Sequence, residues 1–247
     1  SSTDYLQIPA NIAPQLAGLD FTIEFWIKID FTFPQTKAFI YVQGFNDNPN
    51  DSIRLSLTKA TKRFYFDFGH TSDMFCDVSS YENIWTHLTL TWNNTNSNLK
   101  IYLNGILKQI YTDTHVHGGL GILSNGTAAT GAVIIGKNWH STVTYYFKGE
   151  LKYLRVYDKV KTQTEIQNSI DITTLETQYL EPYLPFKSSN EVLNIQSNSN
   201  INDLQDFYDS SPSNHNVTIF GNTKHSLEGT FTNSEKFKSS INFNESG

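Results

Sequence analysis

Apolar and polar side chains alternate along much of the chain in short runs, the period-two pattern of half-buried strands. Phe21, Ile23, Phe25, Ile27 and Ile29 share one face of a run, and Thr22, Glu24, Trp26 and Lys28 share the other. Ile53, Leu55 and Leu57 alternate with polar residues, and Phe64, Phe66 and Phe68 do the same around Tyr65 and Asp67. Leu88, Leu90 and Trp92 alternate with threonines. Leu99, Ile101 and Leu103 lead into Asn104-Gly105. An Asn-Gly pair between alternating runs predicts a tight hairpin over 98–111, because both turn positions need positive φ. Val133, Ile134 and Ile135 before Gly136, and Leu151, Tyr153, Leu154 and Val156, mark two further strands. The single helix predicted runs from Thr162 to Ile170, with Thr162 as cap and Glu165 at the capping-box spacing.

Short strands with one small peripheral helix predict an all-β fold, an antiparallel two-sheet jelly-roll sandwich. Strand–helix alternation, a G-x-G-x-x-G turn and a phosphate-binding loop are all missing from the sequence. Residues 187–216 are rich in Ser and Asn and read as a long loop rather than a domain linker. Tyr183–Phe186 and Val217–Phe220 on either side read as strands.

Composition narrows the function. The 247 residues include 24 Asn, 23 Ser and 26 Thr, with 34 aromatic residues, which favours strands over helices. A net charge of −6 gives no clustered basic surface for phosphate, which argues against nucleic acid as a partner. No apolar run approaches the roughly 18 residues of a membrane-spanning helix. The lone Cys76 excludes an internal disulfide framework and a cysteine-based zinc site. The sequence opens on Ser1 with neither Met nor a signal peptide, so a processed or excerpted piece is expected.

Five segments together resemble a known family. They are Asp20–Ile29, Trp85–Trp92, Leu99–Gly105, Ile134–Gly136 and Phe147–Tyr157. Their order and spacing, followed by Glu165-Ile166, are similar to the laminin G-like and pentraxin-like domains of the concanavalin A-like superfamily. The likeness covers about residues 4–170. It implies a jelly roll, frequent glycan binding and, in many members, calcium.

The family's opening segments resemble the end of this chain. Tyr183–Phe186, Asp209–His215 and Phe237–Phe243 look like the beginning of such a domain, and Asp4–Pro9 looks like its continuation. Residues 1–172 therefore read as the main part of a jelly roll. Residues 178–247 read as the N-terminal strands of the same or the next one. Joining Gly247 to Ser1 gives a strand–turn–strand. Three accounts fit: one repeat cut from a tandem array, subunits that donate strands head to tail, or a circular permutant closing on itself. In the first two, Leu184, Phe186, Ile219, Phe220, Ile241 and Phe243 would be buried between neighbouring copies.

Candidate chemistry is sparse. Sequons stand at Asn50, Asn93, Asn125, Asn216 and Asn244, although chance alone supplies a similar number in so Asn-, Ser- and Thr-rich a chain. The resemblance implies a calcium loop around Asp206, Asp209, Ser213 and Asn214, with Asp4 and Glu150 approaching it, and calcium needs six to eight oxygens. Pro212 replaces the family's usual glycine there. Trp139, His140, Tyr145 and Tyr146 cluster as candidates for stacking on a sugar. Asn46–Asp51 lacks the central Gly and closing Glu of an EF-hand, and His115 with His117 has no third ligand. Retaining glycosidases need two carboxylates about 5–5.5 Å apart. The E-x-D-x-x-E signature that supplies them in this superfamily is absent.

The expected role is thus non-enzymatic. The chain reads as an extracellular or cell-surface structural or adhesive module that assembles with copies of itself into a filament, coat or long adhesin. The alternative is a self-contained lectin-like domain that binds glycan, with or without calcium; no other cofactor is expected.

Overall fold

The computed structural model describes residues 5–9, 16, 19–44, 52–68, 71–112, 132–138 and 145–170, together with the backbone pairing of five later strands. In chain order the strands are β1 (Tyr5–Ile8), β2 (Phe21–Ile29), β3 (Lys37–Gly44), β4 (Ser52–Thr58), β5 (Arg63–Phe68), β6 (Thr71–Asp77), β7 (Thr86–Asn93) and β8 (Asn98–Leu103). Then come β9 (Ile106–Thr112), β10 (Val133–Ile135), β11 (Gly149–Tyr157), helix α1 (Gln163–Ile170), β12 (Glu191–Ser197), β13 (Phe207–Asp209), β14 (Thr218–Phe220), β15 (Lys224–Glu228) and β16 (Lys238–Phe243).

These strands form two antiparallel sheets. The first runs β14-β1-β10-β3-β4-β5-β6, and the second runs β13-β12-β11-β2-β7-β8-β9, with β16 and β15 beside β11. The chain is therefore the jelly-roll sandwich that the alternation predicts. One face of each strand fills the space between the sheets. Phe21, Ile23, Phe25, Ile27 and Ile29 meet Leu55, Leu57, Phe64 and Phe66 there, all buried. Burying each such side chain contributes about 1.5–3 kcal/mol, so this layer dominates the stability.

The local signals act as expected. Asn104 (φ 49°) and Gly105 (φ 70°) make the tight turn between β8 and β9. The end of α1 packs on the turn, so a Cβ at 105 would stand 2.6 Å from Ile170 Cδ1 and would push that side chain aside. The capping box closes α1. The Thr162 hydroxyl accepts from Glu165 N (3.2 Å), and the Glu165 carboxylate accepts from Thr162 N (2.7 Å).

Two expectations are corrected. The polar stretch 187–216 is not one long loop, since β12 and β13 lie inside it. Val192, Leu193 and Ile195 sit among its polar residues, and the ladder to Leu154–Tyr157 uses backbone groups that any side chain permits. The arms of the strand–turn–strand read across Gly247 and Ser1 do not pair. β16 lies against β11 in the second sheet, while both flanks of β1 are taken by β10 and β14 in the first.

The late strands pair within the same chain. Ile219 stands opposite Leu6, Phe220 opposite Tyr5, Ile241 opposite Leu151 and Phe243 opposite Gly149. Leu184 and Phe186 lie outside the described residues. Among the described residues, no helix is long and apolar enough to cross a membrane.

Candidate functional site

The outer face of the first sheet is set by register. A bulge between Phe39 and Tyr41 turns both Ile40 and Tyr41 into the core, which leaves Phe39 and Val42 on the outer face of the sheet, where both are nevertheless buried. Phe39 is then in line with Ser56, Tyr65 and Phe75 on β4, β5 and β6. With strands about 4.8 Å apart, this row crosses roughly 14 Å of sheet. The Tyr65 and Phe75 rings are 5.5 Å apart, and the Arg63 guanidinium lies 4.0 Å over Phe75. Arg54 and Asp67, opposite one another, form an ion pair at 3.9 Å on one side of the row. Arg63 and Asp77, also opposite one another, flank it on the other side. Ser56 Oγ is buried in the middle with no hydrogen-bond partner among the described residues.

The row continues past β3. Tyr145 packs on Phe39 at 5.9 Å and is fixed by reciprocal bonds with Asn138: Tyr145 N donates to Asn138 Oδ1 (2.9 Å), and Asn138 N donates to Tyr145 O (3.2 Å). The Lys137 ammonium lies 4.5 Å over Tyr5 and 5.9 Å over Tyr146. Tyr111 reaches across from the second sheet to hold the far end. Its hydroxyl donates to Phe75 O (2.8 Å) and accepts from Phe75 N (3.0 Å). This clasps the edge strand that carries Phe75. Rings with flanking donors and acceptors suit a sugar, whose apolar ring face stacks while its hydroxyls bond.

The second sheet carries a cluster of perturbed ionisable groups under α1. Glu24 is fully buried and meets Arg155 and Lys161 at 2.8 Å each, with Tyr157 Oη at 3.1 Å and Ser169 Oγ at 3.0 Å. Burial pushes its carboxyl up, but Arg155, Lys161 and His87 outweigh that and bring it down to about 2. Burial depresses the Lys161 ammonium, with Arg155 beside it, because one carboxylate serves two cations. Burial likewise pushes His87 down to about 4, against the pull of Glu24. Perturbed groups often mark active sites. Here the acid is sealed beneath a helix, and all its oxygens are taken by the fold, so the cluster binds α1 to the sheet.

The sequence candidates divide accordingly. Tyr145 and Tyr146 come to the aromatic row, while Trp139 and His140 lie outside the described residues. Glu150, opposite Lys28, is held by its ammonium at 3.1 Å. Asp209 is in β13, two strands away from β11. Asp4, Asp206 and Asn214 lie outside the described residues, among which no group of three or more His, Cys, Asp or Glu could hold a metal. Asn93 ends β7, and its Oδ1 accepts from Asn96 N (3.1 Å); Asn50, Asn125, Asn216 and Asn244 lie outside the described residues. Sequence alternation puts Tyr65 and Asp67 on a shared face but omits their neighbours Arg54, Arg63, Phe39 and Phe75. The available signal was that two of the chain's three arginines fall in these adjacent strands.

Comparison with known proteins gives the family. A laminin G family model, described as the concanavalin A-like lectin/glucanases superfamily, matches residues 1–167. No curated protein matches the chain. Among solved structures, a Bacteroides ovatus protein to which carbohydrate binding is ascribed superposes with TM-score 0.57 at 16% identity, covering 90% of this chain. The chain spans 59% of that structure's length. A heptameric SAP-like pentraxin from Limulus polyphemus gives 0.49 at 16% identity, covering 69% of this chain and 76% of its own. The IT-sialidase CBM40 of Ruminococcus gnavus, bound to α2,3-sialyllactose, gives 0.49 at 18%, covering 62% and 84%. At these identities the likeness is one of fold.

Proposed function

The chain belongs to the concanavalin A-like lectin/glucanase superfamily, and from that premise we propose that it is a non-enzymatic glycan-binding module of the cell surface or extracellular space. The observation that carries this reading is the row Phe39–Ser56–Tyr65–Phe75, flanked by the pairs Arg54–Asp67 and Arg63–Asp77. Such a platform supports binding rather than catalysis, which would need an acid and a base or nucleophile facing one bond. A glycan array probed with the whole chain identifies ligands. Tyr65→Ala then weakens the best ligand by about thirtyfold, the loss expected for an aromatic anchor worth roughly 2 kcal/mol. Tyr65→Phe retains most of the affinity. An array on which nothing binds, or Tyr65→Ala matching the wild type, would overturn the proposal.

A second reading, strand completion between neighbouring modules into a filament, has one observation in its favour. β12, β14 and β16 reach their partners through backbone ladders, which a second copy's strands could make equally well. The same chain's own strands can fill those places without a second copy. We therefore expect a single sedimenting species of 28.1 kDa from micromolar to millimolar concentration. Growth of the particle with concentration would favour the filament.

A further inference from the structure

The charges on the same face say what kind of sugar it takes. Resting on the glycan-binding reading, we infer that the ligand is an uncharged, hydroxyl-rich saccharide rather than one bearing a carboxylate, and that Arg54 with Asp67 makes that distinction. Two of the three arginines of the chain stand here, which at first sight suits an anion. Each, however, has a carboxylate directly across the ladder, Asp67 for Arg54 and Asp77 for Arg63. Along β5 the outward side chains read Arg63, Tyr65, Asp67: cation, ring, anion, at steps of about 6.6 Å. These four charges beside Tyr65 sum to zero, and the face's other cations, Lys37 and Lys137, stand on β3 and beyond it, two or more strands away. A sugar carboxylate stacked on Tyr65 would feel Asp67 about as strongly as Arg54, and would have to shed its water for no net attraction.

A hydroxyl fares differently, since it donates to an acceptor and accepts from a donor with equal ease. Arg54 fits this use. Its Nε is buried and makes no hydrogen bond among the described residues, with Asp67 3.9 Å away, so charge rather than a bidentate fork holds the guanidinium and only its outer end can meet a ligand. About a quarter of that side chain (24%) reaches solvent, while Asp67 is buried at 7%. Arg54 is thus the group that meets the ligand. Asp67 cancels its charge and keeps it from collecting anions. Ser56, in line with Tyr65, is buried beneath the platform.

The test measures binding of the whole chain to cellotetraose, xylotetraose, mannotetraose and galactotetraose, and to tetragalacturonate and α2,3-sialyllactose, at low and high salt. A neutral saccharide should bind with affinity changed less than about twofold by salt, because no ion pair across the interface is there to be screened. The acidic ones should bind at least about tenfold more weakly. Asp67→Asn, which leaves Arg54 uncompensated, should raise affinity for the acidic saccharides and make it fall with salt. The salt comparison uses the wild-type chain, so it stands even if that variant folds poorly. Acidic saccharides binding tighter than neutral ones, lost at high salt and lost in Tyr65→Ala, would overturn this inference and leave glycan binding standing. If no saccharide of either class binds, both fall.

Discussion

Replacing Glu24 with glutamine lowers the unfolding free energy by about 3–5 kcal/mol, the usual cost of removing one partner from a buried ion pair. The reason is arithmetic of charge. Among the described residues, Glu24 is the carboxylate that pairs with both Arg155 and Lys161, and both are nearly as buried as it is. Glutamine keeps the shape and leaves two cations facing each other without water. Arg155 belongs to β11 and Lys161 to the turn leading into α1, which Thr22 also anchors by accepting from Lys161 N at 3.0 Å. The damage should therefore centre on the seat of the helix. For a chain of this size the melting temperature should fall by on the order of 10 °C. Urea unfolding monitored by tryptophan fluorescence gives the free energy directly. A loss below about 1 kcal/mol would mean that the cations reach water when their partner is gone, and the buried cluster would be wrong. Replacing Glu24, Arg155 and Lys161 together by Leu, Met and Met should recover much of the loss, because the cost lies in the unpaired charge and not in the missing contact.

What the sequence reveals and what it hides follow from the range of the interactions. The hairpin at Asn104-Gly105 and the capping box at Thr162 and Glu165 are legible because turn and cap chemistry reside within four residues. The alternation in β2 is legible because one face meets the core. β3 is not, since Lys-Ala-Phe-Ile-Tyr-Val-Gln-Gly is buried nearly throughout and its bulge breaks the period. β12 hides in a polar stretch because an added strand is held chiefly by its backbone. The aromatic row is harder still. Phe39, Ser56, Tyr65 and Phe75 are adjacent only through three ladders, and a one-residue slip in any of them would scatter the set. Tyr145 and Tyr146 are legible as aromatic candidates, yet Phe39, on which Tyr145 packs, and Tyr5, which shares Lys137 with Tyr146, come from distant strands. Residue type is written locally, whereas the site is written in register.

Between neutral pH and pH 4 the protein should lose roughly 3 kcal/mol of stability through His87 alone, the amount that follows from a pKa depressed from 6.5 to about 4. In the unfolded chain the imidazole takes up its proton near pH 6.5. In the folded protein burial resists the charge first, and Arg155 and Lys161 add repulsion that Glu24 only partly offsets. The unfolded state therefore binds more protons across that window, so stability rises with pH there and falls on acidification. Glu24 adds a second, lower window. Its carboxyl lies at about 2 in the folded protein against 4.5 ordinarily, so its contribution is intact above about pH 4.5 and disappears as pH falls toward 2. Geometry supports the first step. The His87 ring is sealed, its Nδ1 is 3.3 Å from Thr89 Oγ1, and its centroid is 5.4 Å from that of Trp26, with no carboxylate hydrogen-bonded to it among the described residues. Urea unfolding at intervals from pH 7.5 to 4 should trace the loss, and His87→Gln should flatten the curve between 6.5 and 4 while leaving the steeper fall below 4 in place. A wild-type curve that is flat over that interval would show that the imidazole is charged in the folded state or reaches water, and the sealed outer face of the second sheet would have to be redrawn.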